Sequence, residues 1–208
     1  MPEYTSRVAD PTLFTDESNW RGGLYELCIH VGDISDERSD ARLERAMVSV
    51  RRAANVQGCY STRNLEPAEQ SEIPCTLASL ARAGHLYGTV PLPGGRTVVC
   101  GWYVTRDLED GTDCLGFYMP VEALQRASIY PFDQWAGCED LAWRRIVDDW
   151  LADVGTAVYR DVDFKFAVIG WELDVFTERD LEDGVPNEHR EGYLLPSDGR
   201  LSYVPANV

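Results

Sequence analysis

At 208 residues and 23.4 kDa, with 44% hydrophobic and 26% charged residues, the chain is long enough to bury a substantial core in one decorated domain or two small ones. Its 35 acidic and 19 basic residues leave a formal charge of −16, and the cations are spread along the chain, which argues against nucleic acid as a partner. No run of about 18 apolar residues could cross a bilayer, and the start carries no basic, apolar leader, so the reading is of a soluble, cytoplasmic protein with no membrane partner.

Residues 1–19 are polar and include Asp10-Pro11, which reads as an extended N-terminal arm; residues 20–208 are expected to form one domain. Gly22-Gly23 opens a first strand over 24–31. In YELCIHV, a period of two puts Tyr25, Leu27, Ile29 and Val31 on one face, with Glu26, Cys28 and His30 on the other. Leu43, Met47, Val50 and Ala54 recur at three- and four-residue spacing, which predicts an amphipathic helix from about 35 to 55. A polar loop follows, and then IPCTLASLARAG reads as a short helix with Pro74 at its first position and Gly84 at its end.

From His85 the pattern turns to strands. HLYGTVPLPGGRTVVCGWYVTRD is a hairpin turning at Leu92–Gly95, CLGFYM is a third strand of the same meander, and VEALQRA begins a short helix after Pro120. A second long helix is predicted over 139–155, with Trp143, Ile146, Val147, Trp150 and Val154 on one face and Gly155 as its stop. VDFKFAVIGWEL reads as a strand, 177–191 as an acidic loop, and GYLLPSDGRLSYV as a C-terminal hairpin. The order implies an α+β domain: a single antiparallel or mixed sheet of about 5–7 strands, two long amphipathic helices on one face, and short extra helices.

With Phe164, Phe166 and Val168 assigned to the helix side, the opposite, open face receives Glu26, Cys28, His30, Thr97, Tyr103, Thr105, Cys114, Tyr118, Lys165 and Trp171. Aromatic rings with a few convergent polar groups are what a ligand pocket needs, so Glu26, Cys28, His30, Tyr103, Tyr118 and Lys165 are the candidate binding residues. Cys28 and His30 also suggest a thiolate nucleophile with Glu26 or a residue on a neighbouring strand orienting the ring, although a half-covered strand carries such residues without chemistry. Cys75, placed in a helical first turn, is a second thiol of interest.

The six cysteines stand singly at 28, 59, 75, 100, 114 and 138, which in a cytoplasmic chain reads as reduced thiols. No CxxC or HxxxH spacing announces zinc. RDLEDG occurs at 106–111 and 179–184, but its flanks do not repeat and the spacing of a calcium loop is missing. GxGxxG, Walker A, GxSxG and HExxH are all absent, so no cofactor and no metal are expected. Three functions fit: a non-enzymatic interaction protein of the inhibitor or immunity kind with a basic protein partner, a small-molecule binder or enzyme using the open face, and a homodimer that buries that face.

Overall fold

The computed structural model describes residues 12–33, 35–107, 112–129, 141–173 and 176–208. In chain order the elements are β1 (Leu24–Asp33), α1 (Ser39–Ala53), β2 (Gln57–Tyr60), α2 (Leu77–Ala83), β3 (Leu86–Pro91), β4 (Thr97–Asp107) and β5 (Thr112–Pro120). There follow α3 (Val121–Arg126), α4 (Leu141–Asp161), β6 (Phe166–Trp171), β7 (Gly192–Ser197) and β8 (Arg200–Val204). The strands form one sheet in the order β2-β3-β4-β5-β1-β6-β7-β8, and every pairing is antiparallel. The α+β class agrees with the sequence, but eight strands exceed the expected 5–7. The additional strand is β2, four residues of QGCY with an exposed first position, too short to show a period.

β1 lies between β5 and β6 and is buried on both sides from Tyr25 to Gly32. Tyr25, Leu27 and Ile29 sit opposite Met119, Phe117 and Leu115 of β5. α1 and α4 pack against each other across this face, with Leu43, Met47 and Val50 from α1 and Leu151, Val154 and Val158 from α4 fully or almost fully buried. Each such aliphatic side chain contributes about 1.5–3 kcal/mol through removal from water, which is why the three- and four-residue spacing folds onto the sheet.

α4 corrects two readings. Gly155 does not stop the helix, which runs on to Asp161; a Cβ at Gly155 would stand 2.3 Å from Leu194 Cδ1, so the glycine lets the helix approach β7. Ile146 is 49% exposed, and the buried stripe instead passes through Arg144, Val147 and Asp148. Trp143 lies outside the described side chains. The two long helices do share one face, as expected.

β6 corrects a third. Its run is apolar at almost every position, so alternation does not set its parity. The register pairs Cys28 with Val168 and His30 with Phe166, which places Phe166 and Val168 on the face away from the helices, while Ala167 and Ile169 join the helix side. Trp171 pairs with Tyr25 and therefore belongs to the helix side too.

Of the N-terminal arm, residues 1–11 lie outside the described residues. Phe14 is buried, edge-on to Trp20 and Tyr60 with ring centroids 5.7 and 5.6 Å away, and Glu66 accepts hydrogen bonds from Phe14 N and Thr15 N. Asp16 caps the 3-10 turn Glu17–Trp20, accepting from Ser18 N. This part of the arm is packed on the domain. The hairpins at 85–107 and 192–204 form as read, the first closing through Gly95 N to Leu92 O.

Candidate functional site

The face opposite the two long helices is not open. Glu26 is 0%, His30 2%, Tyr118 3% and Tyr103 8% exposed. Two constructions close it. Tyr103 sits opposite Gly116 and Tyr118 opposite Gly101, and each ring lies across its glycine: a Cβ at Gly116 would be 2.3 Å from the Tyr103 ring, and one at Gly101 2.5 Å from the Tyr118 ring. Leu173, Phe176, Leu181 and Val185, from the segment after β6, then pack over Cys28, Cys114, Phe166, Val168 and Tyr193 as a second, smaller core.

Within this closed face Glu26, Tyr103 and Tyr118 are partnered. Glu26 accepts from Tyr103 Oη at 2.7 Å and from Leu173 N at 2.5 Å, so one carboxylate ties β4 and the covering segment to the central strand. Tyr118 Oη meets His85 Nδ1 at 3.1 Å, and burial pushes the phenol well above its usual value. Burial also lowers the His85 pKa, with the positive charge of Arg63 acting in the same direction. Glu26, Tyr103 and Tyr118 therefore lie close together in a buried cluster, Glu26 bonded to Tyr103 and Tyr118 to His85.

Cys28 and His30 do meet: Cys28 Sγ is 3.8 Å from His30 Nε2. The expectation of six reduced thiols is overturned, because Cys28 is joined to Cys114 in a disulfide across β1 and β5. His30 and Cys114 are directly opposite, Cys28 stands two residues along on the same face, and the two cysteine Cα atoms are 6.3 Å apart, within reach of a bridge. Cys59, Cys75 and Cys100 are free, and Cys138 lies outside the described residues. His30 stacks on Phe166 with centroids 4.1 Å apart, and burial pulls its pKa down to about 4. The sulfurs and an imidazole nitrogen of Cys28, Cys114 and His30 lie within 4.8 Å of one another, the one cluster of metal-ligand residue types among the described residues, with its two sulfurs joined in the disulfide. Beside them a cavity of about 20 Å³ is bounded by Thr105, Thr112, Phe176 and Thr177.

The other singled-out residues fall elsewhere. Lys165 precedes β6, is partly exposed and pairs with Glu178 at 2.8 Å; only its backbone N–H reaches the site, donating to His30 O. Cys75 is not in a helical turn, because α2 begins at Leu77 with Thr76 as its cap; it is half-buried, and a hydrogen bond from Cys59 lowers its pKa. The second RDLEDG copy contributes to the 3-10 turn Glu178–Leu181, capped between Thr177 and Asp180, while 108–111 of the first lie outside the described residues.

A second, roomier concavity lies where the sequence offered no candidate. A groove of about 890 Å³ runs between α1 and α2 over β4, floored by Leu77, Ala78, Ala81 and Val104 and edged by Asp40 and Glu44. Arg106 crosses one end, paired with Asp40 and 3.8 Å from the buried Asp113, whose other oxygen accepts from Ser39. One turn beyond Glu44, Val48 is 57% exposed. The spacing Ala41, Glu44, Val48 was the available signal, a second and weaker stripe on a helix whose main stripe faces the sheet. None of the described helices is long and apolar enough to cross a membrane. No family model matches the chain, and neither a curated protein nor a solved structure is similar to it.

Proposed function

We propose that the chain is a non-enzymatic interaction module, of the inhibitor or immunity kind, that holds an apolar, basic segment of a protein partner in the groove between α1 and α2. The observation that carries this reading is the groove itself: about 890 Å³, with an apolar floor and a carboxylate edge at Asp40 and Glu44, and with the exposed Val48 one turn farther along α1. An amphipathic helix presents apolar anchors at the i, i+3 and i+4 positions to such a groove, and basic side chains at its margin meet the carboxylates. The −16 formal charge supports the sign of the partner and hastens its approach. A cytoplasmic setting goes with this reading in its reduced form, since a reducing compartment works against the Cys28–Cys114 bond.

The reading of the Glu26–His30 face as a small-molecule site is weakened, because Glu26, Tyr103 and Tyr118 are buried and hydrogen-bonded within the chain, and the cavity beside Cys28 and His30 is about 20 Å³ where ligand pockets span roughly 300–1,000 Å³. A homodimer through that face loses support too: Tyr103 and Tyr118 are almost wholly buried across Gly116 and Gly101, and Leu173, Phe176, Leu181 and Val185 cover Phe166 and Tyr193.

The test uses two labelled peptides of one amphipathic leucine pattern, one with lysine and one with glutamate on the polar face, and reads fluorescence anisotropy. The lysine peptide is expected to bind saturably and more weakly as salt rises, and Ala81→Arg or Glu44→Lys to weaken it by about tenfold, roughly 1.4 kcal/mol. Absence of binding, or equal affinity for the parent and Ala81→Arg, removes the proposal.

A further inference from the structure

We infer that Cys28, His30 and Cys114, once the disulfide is reduced, form a binding site for a divalent cation of the zinc class. The inference stands apart from the groove and rests on how β1 and β5 are paired. His30 is directly opposite Cys114, and Cys28 lies two residues along β1 on the same face, so the strands present two sulfurs and an imidazole from the corners of a triangle. Metal bonds of about 2.3 Å to sulfur and 2.0–2.1 Å to nitrogen, at tetrahedral angles, set neighbouring ligand atoms roughly 3.5–3.8 Å apart. Cys28 Sγ and His30 Nε2 are already 3.8 Å apart, and all three ligand atoms fall within 4.8 Å of one another.

Two independent observations point to a ligand. His30 is 2% exposed, and among the described residues its Nδ1 has no hydrogen-bond partner while its Nε2 lies against the Cys28 sulfur. A buried imidazole without a strong partner is costly, and coordination satisfies one of its nitrogens. Secondly, the cavity of about 20 Å³ beside the three residues, between the sheet face and Phe176 and Thr177 of the cover, is large enough for one water. Three protein ligands and one water complete a tetrahedron, with the fourth vertex directed toward the cover. The motif escaped the usual spacing rules because two ligands come from a Cys-x-His on a strand and the third from a strand 86 residues away.

The chemistry balances. An external dithiol transfers two electrons and two protons to the Cys28–Cys114 bond, giving two thiols and the oxidised reagent. Cation binding then releases both protons, and two thiolates with a neutral imidazole cancel the charge of the divalent ion. Disulfide and metal are thus mutually exclusive occupants of the same three residues. The compartment's redox poise selects between them.

The experiment titrates the full chain, reduced with dithiothreitol and freed of it anaerobically, with Co²⁺ as a spectroscopic probe and then Zn²⁺. One equivalent of Co²⁺ is expected to produce thiolate-to-cobalt charge transfer and intense tetrahedral bands, which Zn²⁺ abolishes; the oxidised chain should produce neither. Cys114→Ser and His30→Ala should each weaken binding by at least about tenfold, and the double variant Cys59→Ser/Cys75→Ser should bind like the parent. A reduced parent without tetrahedral bands overturns the inference, as do bands that survive unchanged in Cys114→Ser or vanish in Cys59→Ser/Cys75→Ser. The contrast between reduced and oxidised parent needs no variant, so misfolding of a substituted chain does not blunt the test.

Discussion

Removing the Arg144 guanidinium isolates the energetics of the second polar cluster in the core. Arg144 Nε donates to Asp148 at 2.9 Å, both side chains are 4% exposed, and Tyr25 Oη donates to the other Asp148 oxygen. Arg144 also donates to Arg190 O, tying α4 to the end of the segment that covers the opposite face. Burial raises the Asp148 pKa, against the opposing pull of Arg144, so without the guanidinium the carboxylate is stranded. Arg144→Met is expected to cost about 3–5 kcal/mol, a large part of the roughly 5–15 kcal/mol that holds a domain together. With a urea slope of about 2–3 kcal/mol/M, the midpoint falls by about 1–2.5 M. The triple variant Tyr25→Phe/Arg144→Met/Asp148→Leu removes donor, acceptor and charge together, and the lost bond to the Arg190 carbonyl costs about 1–3 kcal/mol. Urea unfolding followed by tryptophan fluorescence compares the two. The triple variant should be more stable than Arg144→Met alone. Costs that simply accumulate from single to triple variant would refute the picture of one coupled buried network.

Three further outcomes follow from the packing. Gly155→Val drives side-chain atoms into Leu194 and is expected to cost about 1–3 kcal/mol by chemical denaturation, with Leu194→Ala recovering part of that cost in the double variant. Gly116→Ala displaces the Tyr103 ring and with it the bond to Glu26; a loss of about 2–4 kcal/mol and slower-relaxing Tyr103 signals in NMR are expected, whereas unchanged stability contradicts the ring-over-glycine closure. His85, facing Tyr87, Tyr103 and Tyr118 with Arg63 nearby, has a folded-state pKa below its unfolded 6.5. The unfolded chain therefore binds the proton first, and stability present above pH 6.5 declines on acidification through that value. His30, at about 4, acts with the same sign, so the His85 share is read as the difference between parent and His85→Gln over that limb.

Alternation made the two sides of β1 and β5 legible, because Tyr25, Leu27 and Ile29 contrast with Glu26, Cys28 and His30 at every step. It failed at β6, where Phe166 to Trp171 are nearly all apolar and the parity is settled by pairing with β1 and not by composition. Gly155 carried the residue type of a helix stop, and only the position of Leu194 reveals that it serves close approach. The cover over the Cys28 face was invisible for another reason. Leu173, Phe176, Leu181 and Val185 follow no period, and the charged residues between them read as an acidic loop. The disulfide required knowing that strands distant in the chain are neighbours, and the groove required the relative position of two helices. Both are facts of tertiary arrangement.

The placement of β1 also governs how the sheet can come apart. β2 to β5 form one meander of sequence neighbours and β6 to β8 another, and within the sheet β1 alone joins them, although it comes before all of them in the chain. It has to wait for partners made much later, which delays closure of the core and lengthens the time its apolar faces stand unpaired. The two seams differ in strength: the one toward β5 is stapled by Cys28–Cys114, while the one toward β6 is held by hydrogen bonds and packing. Under force or partial denaturation the oxidised sheet should part first between β1 and β6, releasing the C-terminal meander as a unit.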